Sequence, residues 1–458
     1  MYPGEEGYAG RVLFRQAAFR GYNTQLVEES VRRIKVCRAI RIIRVLVVVA
    51  LVILVSCRPV THSHNQNANS QSTQPKPQTA PPVFVRHPQL QAGSIEFALR
   101  LLQSLYAEHP NSNLCFSPLD IQQGLTLLLN GLQAESYQEI ADALGYNSLS
   151  LEEINAFHRA AWEQIHTEGN AYEVRQAIAL LTVAPFRWTA TVKQQVQGWY
   201  PVAFFELERA RLQQQIGQVQ AWLQKQTKNQ VMLSPEVWLQ AAHYPTLAGI
   251  VSALYLRAEW EQPFGAAPPI EFRTADGLKR GVPAMVCRYE RLPYLEASDF
   301  ESVVLPYRGG QLRFYLFLPR DEIALEQWVK RLDGARWRAW RKQFKEREVE
   351  LWMPKFEIAT EHDWQALLRQ MGIRRIFQDA GLRGVLEGAE KGGYMGLWAQ
   401  AAVVRVDERG TEAAAGTFAP AFVQDYETVR IVVDRPFLFA IVHEPTELIL
   451  FLGLVQAP

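Results

Sequence analysis

The side chains that catalyse reactions or bind metals are scattered through this sequence and form no known catalytic pattern. It has no Gly-x-Ser-x-Gly elbow, no His-Glu-x-x-His helix, no glycine-rich phosphate loop and no Asp, His and Cys set with ligand spacing. The most compact candidate, His443-Glu444-Pro445, falls at a predicted turn between two apolar strands. We therefore expect no enzyme activity, no metal site and no cofactor.

A row of small side chains near the C-terminus has the most unusual spacing. Every second residue is Thr or Ala along Thr411, Ala413, Ala415, Thr417, Ala419 and Ala421. Alternate residues of a strand face the same side, so this row suits a strand with one face entering a crowded interior. The composition also fits a flexible, alanine-rich surface loop. Strand-like runs precede the row, from Ala401 to Val406, and follow it, from Val429 to Val433.

The composition is that of a globular protein. Apolar residues make up 48% of the 458 residues and charged residues 21%, enough for one large domain or two or three small ones. The net charge of +1 gives no reason to expect a nucleic-acid partner. Cys37, Cys57, Cys115 and Cys287 show neither metal-ligand spacing nor a disulfide framework.

Residues 1–57 are predicted to be an N-terminal extension plus an export signal. Basic residues precede an unbroken apolar run, Val45 to Val55, which is too short to span a bilayer comfortably. The end of the run, Leu54-Val55-Ser56-Cys57, resembles a bacterial lipobox, which implies acylation of Cys57 and cleavage just before it. An uncleaved anchor is the alternative. The extension is long for such a signal, which favours a translation start near Val31 or Val36.

Residues 58–85 are predicted to be a disordered tether. Up to Pro82 they are mostly Asn, Gln, Ser, Thr and Pro, which cannot bury enough apolar surface to become ordered. His62 and His64 lie in this stretch without further ligands, so we interpret them as solvated side chains. The folded domain is expected over residues 86–458.

The segment that contains the small-residue row resembles the proximal hinge of a serpin reactive-centre loop. The matching residues are Glu408, Arg409, Gly410, Thr411, Glu412, Ala413, Ala414, Ala415, Gly416 and Thr417. Downstream, Asp434 to Phe439 is similar to the Arg/His-Pro-Phe-Leu-Phe segment near the serpin C-terminus. Six shorter matches occur in the family's order: Asn113 to Ile121, Gly131 to Ile140, Val219 to Thr227, Arg257 to Phe264, Val282 to Met285 and Pro354 to Phe356.

This resemblance, which covers Ser94 to Pro458, implies an α+β serpin fold. We expect mixed β-sheets, about eight or nine helices and an exposed reactive-centre loop at about 408–430. Family members act as suicide substrates: a protease cleaves the loop, and the upstream half inserts into a β-sheet. The resemblance therefore implies a serine-type endopeptidase inhibitor. A non-inhibitory serpin used as a binding or structural module is the alternative.

The scissile bond is expected in a window of five residues: Phe422, Val423, Gln424, Asp425 and Tyr426. Counting forward from Glu408 by the family spacing gives Gln424-Asp425, and counting back from Pro436 gives Asp425-Tyr426. Phe422 or Tyr426 would suit a serine or cysteine protease with an aromatic-accepting pocket. Pro420, which lacks the N–H that a central strand needs, is expected to weaken insertion.

The resemblance also assigns roles to residues outside the loop. Trp260 matches the tryptophan where the loop enters the sheet, and Lys355 and Glu408 match a pair at the top of that sheet. Four residues stand where serpins commonly have a Ser, Ser, Asn and His cluster that controls sheet opening: Ser117, Asp120, Ser252 and Gln400. We expect a monomer outside the cytoplasmic membrane, lipid-anchored or secreted, with a target protease as its partner and no nucleic acid.

Overall fold

The computed structural model describes residues 84–166, 171–238, 248–321, 323–411 and 428–458. The chain divides into two compact units, Met1–Gln78 and Thr79–Pro458, and the described residues belong to the second. Cys57, the tether up to residue 83 and the loop residues 412–427 lie outside the described residues.

The helices are spread along the domain between the strands. They are α1 (Pro88–Glu108), α2 (Pro118–Leu129), α3 (Ala134–Leu144), α4 (Leu151–Ile165), α5 (Ala190–Trp199), α6 (Leu212–Gln226), α7 (Leu325–Lys330), α8 (Gly334–Arg341) and α9 (Gln365–Gln370), with a further helical segment at 235–238. Over the described ranges, no helix combines the length and apolar character that a membrane crossing requires.

The strands form two large sheets and one small one. They are β1 (Leu114–Phe116), β2 (Tyr172–Val183), β3 (Arg187–Trp188), β4 (Ala203–Leu207), β5 (Ala248–Glu259), β6 (Gly265–Arg273), β7 (Lys279–Glu296), β8 (Phe300–Pro306), β9 (Leu312–Pro319), β10 (Lys345–Pro354), β11 (Phe356–Asp363), β12 (Leu386–Glu387), β13 (Met395–Asp407), β14 (Gly410–Thr411), β15 (Val429–Val432), β16 (Phe437–His443) and β17 (Leu448–Val455).

The nine-stranded sheet has the order β1-β17-β16-β9-β8-β7-β10-β15, with β6 paired to β7. The six-stranded sheet has the order β11-β13-β14-β5-β2-β4, and β13 also pairs directly with β5. Strands β3 and β12 form a separate two-stranded sheet. This combination of helices and mixed sheets agrees with the α+β class that the resemblance implied.

Local sequence signals explain where the helices begin and end. At α2, the Ser117 hydroxyl accepts a hydrogen bond from the Asp120 amide, and Pro118 occupies the first turn, which are positions that Ser and Pro favour. Helix α4 begins with a capping box between Ser150 and Glu153. Helix α3 ends at Gly145, whose positive φ of 73° suits glycine.

The six-stranded sheet is covered on both faces, which buries nearly all of β5 and β13. Its inner face packs against the main core, where α1 contributes buried apolar side chains from Ile95 to Leu105. Its outer face packs against α6 through Val219 and Leu223. Side chains alternate between the two faces. Because β5 and β13 contribute side chains to both covered faces, the site depends on how these two strands pair.

Candidate functional site

Strands β5 and β13 are joined over only part of their length. They pair in parallel from Ala248 and Met395 up to Leu254 and Ala402. Along the described residues, no register pair joins 255–257 of β5 to 403–405 of β13. We call this stretch the slot. Its outer edges are held by pairing to β2 and to β11, so the slot lies inside the sheet and not at its edge.

Strand β14 lies between β5 and β13 directly above the slot. Gly410 pairs with Glu259 and Asp407, and Thr411 pairs with Ala258. The sequence predicted an exposed reactive-centre loop at about 408–430. That prediction is wrong for Gly410 and Thr411, because both form antiparallel ladders with β5 and β13.

Glycine is required at the first of these two positions. A Cβ atom on Gly410 would lie 2.0 Å from the carbonyl oxygen of Ala258. No side chain can occupy that space without moving the backbone of β5. The glycine of the hinge motif therefore allows β14 to approach β5 closely.

Thr411 is fully buried and faces the main core, as the small-residue alternation predicted. Its hydroxyl shares a 2.7 Å hydrogen bond with the Tyr307 hydroxyl. Burial raises the pKa of Tyr307, so that hydroxyl stays protonated. The ring of Tyr307 stacks on Trp260, with 4.4 Å between ring centroids. Thr411 is therefore held by a hydrogen bond to a ring that stacks on a second ring. We call the stacked rings of Tyr307 and Trp260 the aromatic wall.

Trp260 ties the start of the loop to β5. Its ring nitrogen donates to the Asp407 carbonyl at 2.9 Å, and its backbone N–H donates to the Arg409 carbonyl at 2.6 Å. The backbone N–H of Phe264 donates to the Glu408 carbonyl at 2.6 Å. The structure therefore places Trp260 where the loop enters the sheet.

The turn between β13 and β14 is closed by one carboxylate. Asp407 Oδ1 accepts hydrogen bonds from the backbone N–H groups of Arg409 and Gly410, at 2.8 and 3.3 Å. Asp favours this geometry because its short side chain can bond the backbone two or three residues further on. The turn reverses the chain and aims Thr411 toward the slot.

Lys355 and Glu408 form an ion pair beside this turn. The distance from Lys355 Nζ to Glu408 Oε1 is 3.0 Å. The two side chains are 37% and 22% exposed, so water screens their attraction. The expected pair is present in the structure, but its exposure limits its contribution to stability.

The four residues expected to control sheet opening meet beneath the paired part of β5 and β13, and all are buried. Gln400 Oε1 accepts from the Ser117 backbone N–H, and Gln400 Nε2 donates to the Ser117 carbonyl, both at 2.9 Å. Gln400 and Ser252 are direct neighbours in the parallel ladder. Asp120 lies in the first turn of α2, where its backbone N–H donates to the Ser117 hydroxyl.

Comparison with known proteins identifies the family. The sequence model of Serpin (serine protease inhibitor) matches residues 92–458, most of the chain. The chain belongs to the serpin family. Serpins are generally inhibitors of serine proteases and not catalysts, which agrees with the absence of catalytic motifs from the sequence.

Relatives from mammals match this serpin along most of their length. Human Serpin B9 is 27% identical over 371 residues, covering 79% of this chain and 97% of the relative. Bovine Serpin A3-5 is 27% identical over 382 residues, covering 81% and 89%.

Solved serpin structures agree in fold. Human thyroxine-binding globulin complexed with thyroxine has a TM-score of 0.71 at 23% identity, covering 81% of this chain and 98% of that one. The thermophilic serpin Tengpin in its native state also has a TM-score of 0.71, at 21% identity, covering 81% and 95%. At these identities, the structural match shows the fold alone.

The structure adds residues that sequence reasoning missed. Gln176 Nε2 of β2 donates to Asp120 Oδ1 and to Gln123 Oε1, each at 2.6 Å. Burial raises the pKa of Asp120 to about 7, and the hydrogen bond from Gln176 limits that rise. Neither glutamine belongs to a recognisable motif, so no sequence signal points to them. Tyr307 and Asp407 were likewise missed, although the Asp-x-x-Gly spacing of Asp407 and Gly410 signals a turn.

Two groups of predicted residues fall outside the part of the chain that the structure describes. The first is the rest of the hinge with the scissile-bond window, at residues 412–427. The second is Cys57 with its signal segment. Across the described ranges, no group of three or more His, Cys, Asp or Glu side chains is placed to hold a metal ion.

Proposed function

We propose that this serpin is a serine-type endopeptidase inhibitor that acts as a suicide substrate through cleavage and insertion of its reactive-centre loop. The position of β14 supports this most strongly, because Gly410 and Thr411 already pair on both sides, directly above an unpaired slot. Insertion would extend a ladder that has already begun.

Continuing the register of β14 gives the geometry of that insertion. In the inserted form, residues 411–421 would lie along β5 from Ala258 down to Ala248. The residues that share a face with Thr411 would be Ala413, Ala415, Thr417, Ala419 and Ala421. All are small enough for the face that packs against the main core. Thr417 would arrive level with Ser252 and Gln400.

Backbone hydrogen bonds alone would not drive this insertion. A central strand gains roughly two hydrogen bonds per residue, each contributing about 1 kcal/mol net. Ordering the backbone costs about 1–2 kcal/mol per residue, which nearly offsets this gain. The remaining drive would come from filling the slot and packing the two covered faces of the sheet, so bulky or charged residues on the inner face would stop the reaction.

The segment that the protease recognises and cleaves is proposed to lie in the scissile-bond window: Phe422, Val423, Gln424, Asp425 and Tyr426. Its aromatic residues favour a serine protease, or a cysteine protease, with a pocket that accepts Phe or Tyr. Cleavage in this window would leave residues 411–421 upstream of the cut, attached to the acylated enzyme.

A non-inhibitory serpin is the second candidate, and two features favour it. Pro420 would lack the N–H needed deep in the sheet. Three of the four residues beneath β5 and β13 differ from the usual Ser, Ser, Asn and His. The human relative complexed with thyroxine shows that a serpin can bind a small ligand.

The proposed location is outside the cytoplasmic membrane of a bacterium. We propose that Cys57 carries a lipid anchor and that residues 58–85 tether the domain to the envelope; secretion is the alternative. The partners would then be a target protease and the membrane surface. The domain is proposed to act as a monomer and without nucleic acid.

The test is to incubate residues 58–458 with a panel of serine and cysteine proteases and to look for complexes that survive SDS. An inhibitor gives at least one such complex, and mass spectrometry of the released C-terminal peptide identifies the scissile bond. The second candidate predicts cleavage without complexes and without a rise in melting temperature after the cut. A catalytically inactive protease of the same panel is the control, because it cannot form the acyl bond.

A further inference from the structure

A strongly basic segment spans α8 and the start of β10. Residues 330–347 carry eight basic and two acidic side chains, which gives this segment a net charge of +6. The domain as a whole, residues 86–458, has 37 basic and 43 acidic side chains and a net charge of −6. The segment is therefore opposite in charge to the rest of the domain, and it attracts an anionic partner.

Four cations of this segment are exposed and, within the ranges that the structure describes, form no ion pair: Arg338, Lys342, Lys345 and Arg347. We call them the basic surface. Arg338 lies one helical turn before Lys342, so the two share a face of the helix. Other cations of the segment are paired with carboxylates: Lys330 with Glu326, Arg336 with Asp333 and Arg341 with Glu444. The basic surface thus keeps its charge for a partner.

Three side chains of the basic surface line one groove. Lys342, Lys345 and Arg347 surround a space of about 510 Å³ together with the end of β7. Glu296 of β7 also lines the groove, but its carboxylate is paired with Arg320 at 2.9 Å. Small-ligand sites typically have volumes of about 300–1,000 Å³, so a phosphorylated headgroup fits in this groove.

The chain enters the domain beside the end of α8. Arg341, the last residue of α8, and Arg86 both lie close to the same carboxylate oxygen of Glu447, at 3.7 and 3.5 Å. Arg86 directly follows the predicted tether, residues 58–85. Lys342 directly follows Arg341. The basic surface therefore begins next to the point where the tether meets the domain.

We propose that the basic surface binds the phosphate headgroups of an anionic membrane, and that this membrane is the one to which the tether attaches the domain. This inference rests on the proposed function, in which Cys57 carries a lipid anchor. A flexible tether of 28 residues has an average end-to-end distance of about 30 Å. The face beside the tether reaches the headgroups with the least extension of the tether, whereas a soluble polyanion would gain nothing from that position.

The test is sedimentation of residues 58–458 with vesicles of phosphatidylglycerol and phosphatidylcholine in equal parts. These residues exclude Cys57, so an acyl chain cannot cause the binding. We expect binding at low salt, release in 1 M salt and no binding to vesicles of phosphatidylcholine alone. Each Lys or Arg at an anionic surface strengthens binding roughly fivefold, so replacing Lys342, Lys345 and Arg347 together with Gln should weaken it roughly a hundredfold.

A matched triple variant separates this surface from the total charge. Lys225, Arg383 and Lys391 are also exposed and form no ion pair within the described part of the chain, and they lie on other elements. Replacing these three with Gln changes the net charge by the same amount and should leave vesicle binding unchanged. Equal weakening by the two triple variants would overturn the inference.

A fluorescent label locates the contact directly. Cys115 and Cys287 are buried, so a polarity-sensitive dye should react with an introduced cysteine. Ala339→Cys places it on α8, three residues before Lys342, and Ala221→Cys places it at an exposed position of α6. Anionic vesicles should shift the emission of the dye on α8 and not that on α6.

Three further results would overturn the inference: no binding to anionic vesicles, equal shifts of both dyes, or tighter binding of soluble dextran sulfate than of the vesicles. None of these measurements needs a protease or an acyl group. A protein that fails to bind vesicles could therefore still form SDS-stable complexes, and the inhibitor proposal would stand. Conversely, vesicle binding without such complexes would leave the membrane contact in place.

Discussion

The two ends of the contact between β5 and β13 are built in different ways. At the upper end, β14 fills the space with a backbone ladder, and Trp260, Tyr307 and Thr411 bury their polar groups in hydrogen bonds. Further down, beneath Ser252 and Gln400, the strands pair directly over a group of polar side chains in which some atoms have no partner. Both ends therefore have backbone ladders, but the upper one is lined by packed aromatic side chains and the lower one by polar side chains.

This difference suggests how insertion would proceed. The first step has already been taken, because Thr411 occupies its place in the sheet. The next step must separate strands that meet over the Asp120 region, where some buried polar atoms of the described residues have no hydrogen-bond partner. Substitutions at the upper end should therefore change whether the hinge enters, and substitutions lower down should change how easily the sheet opens.

Thr411→Arg is the substitution expected to disrupt the pairing of β14 with β5 and β13 most strongly. Thr411 is fully buried, and an unpaired buried charge costs several kcal/mol, so β14 should leave the sheet. The protein should then be cleaved as a substrate, and the yield of SDS-stable complex should fall close to zero. Thr411→Ser is the control, because it keeps the hydroxyl and the small volume. An unchanged yield in Thr411→Arg would contradict the insertion mechanism.

A smaller effect on the same end is expected for Gly410→Ala. The added Cβ would meet the Ala258 carbonyl at 2.0 Å, and such overpacking costs about 1–3 kcal/mol. Urea unfolding should show this loss. Gly217→Ala in α6, where no atom lies within 4 Å of the new Cβ, should instead stabilise by about 0.5–1 kcal/mol. Equal effects of the two substitutions would mean that β14 does not approach β5 as closely as described.

Removing one hydroxyl tests the aromatic wall. Tyr307→Phe deletes the hydrogen bond to Thr411, and we expect a loss of about 1 kcal/mol in urea unfolding. Tyr294→Phe is the comparison, because the Tyr294 hydroxyl makes no hydrogen bond within the described ranges. If both variants lose the same stability, the contact between Tyr307 and Thr411 contributes nothing specific.

The ion pair beside the turn should matter least. A double-mutant cycle with Lys355→Ala and Glu408→Gln should give a coupling free energy below about 1 kcal/mol, because both side chains are partly exposed. The coupling should shrink further in 1 M salt. A coupling of several kcal/mol that persists in salt would show that this pair, and not packing, holds the upper end.

Sequence reasoning was most successful where local chemistry or a motif determines the structure. The Ser117-Pro118 pair is a local signal for the start of α2, and the row beginning at Thr411 predicted which way that side chain faces. The resemblance placed Trp260, Lys355 and Glu408 together, and the structure has them around one turn.

The remaining features depend on contacts between distant segments. Tyr307 and Thr411 are 104 residues apart, and Gln176 is 56 residues from Asp120, so neither contact has a local signal. How far the hinge enters the sheet depends on two free energies: the entropy cost of ordering the hinge and the gain from packing it. No pattern of residues in the sequence encodes that balance. For that reason, the entry of Gly410 and Thr411 was not predicted.

The loop of this serpin is proposed to insert into the six-stranded sheet after cleavage. The most direct measurement is the melting temperature before and after a single cut in the 422–426 window, made by a protease that releases the product. We expect a large upward shift for the wild type, because a new central strand would fill the slot, and no such shift for Thr411→Arg. An unchanged melting temperature in the cleaved wild type would contradict insertion of the cleaved loop into the six-stranded sheet.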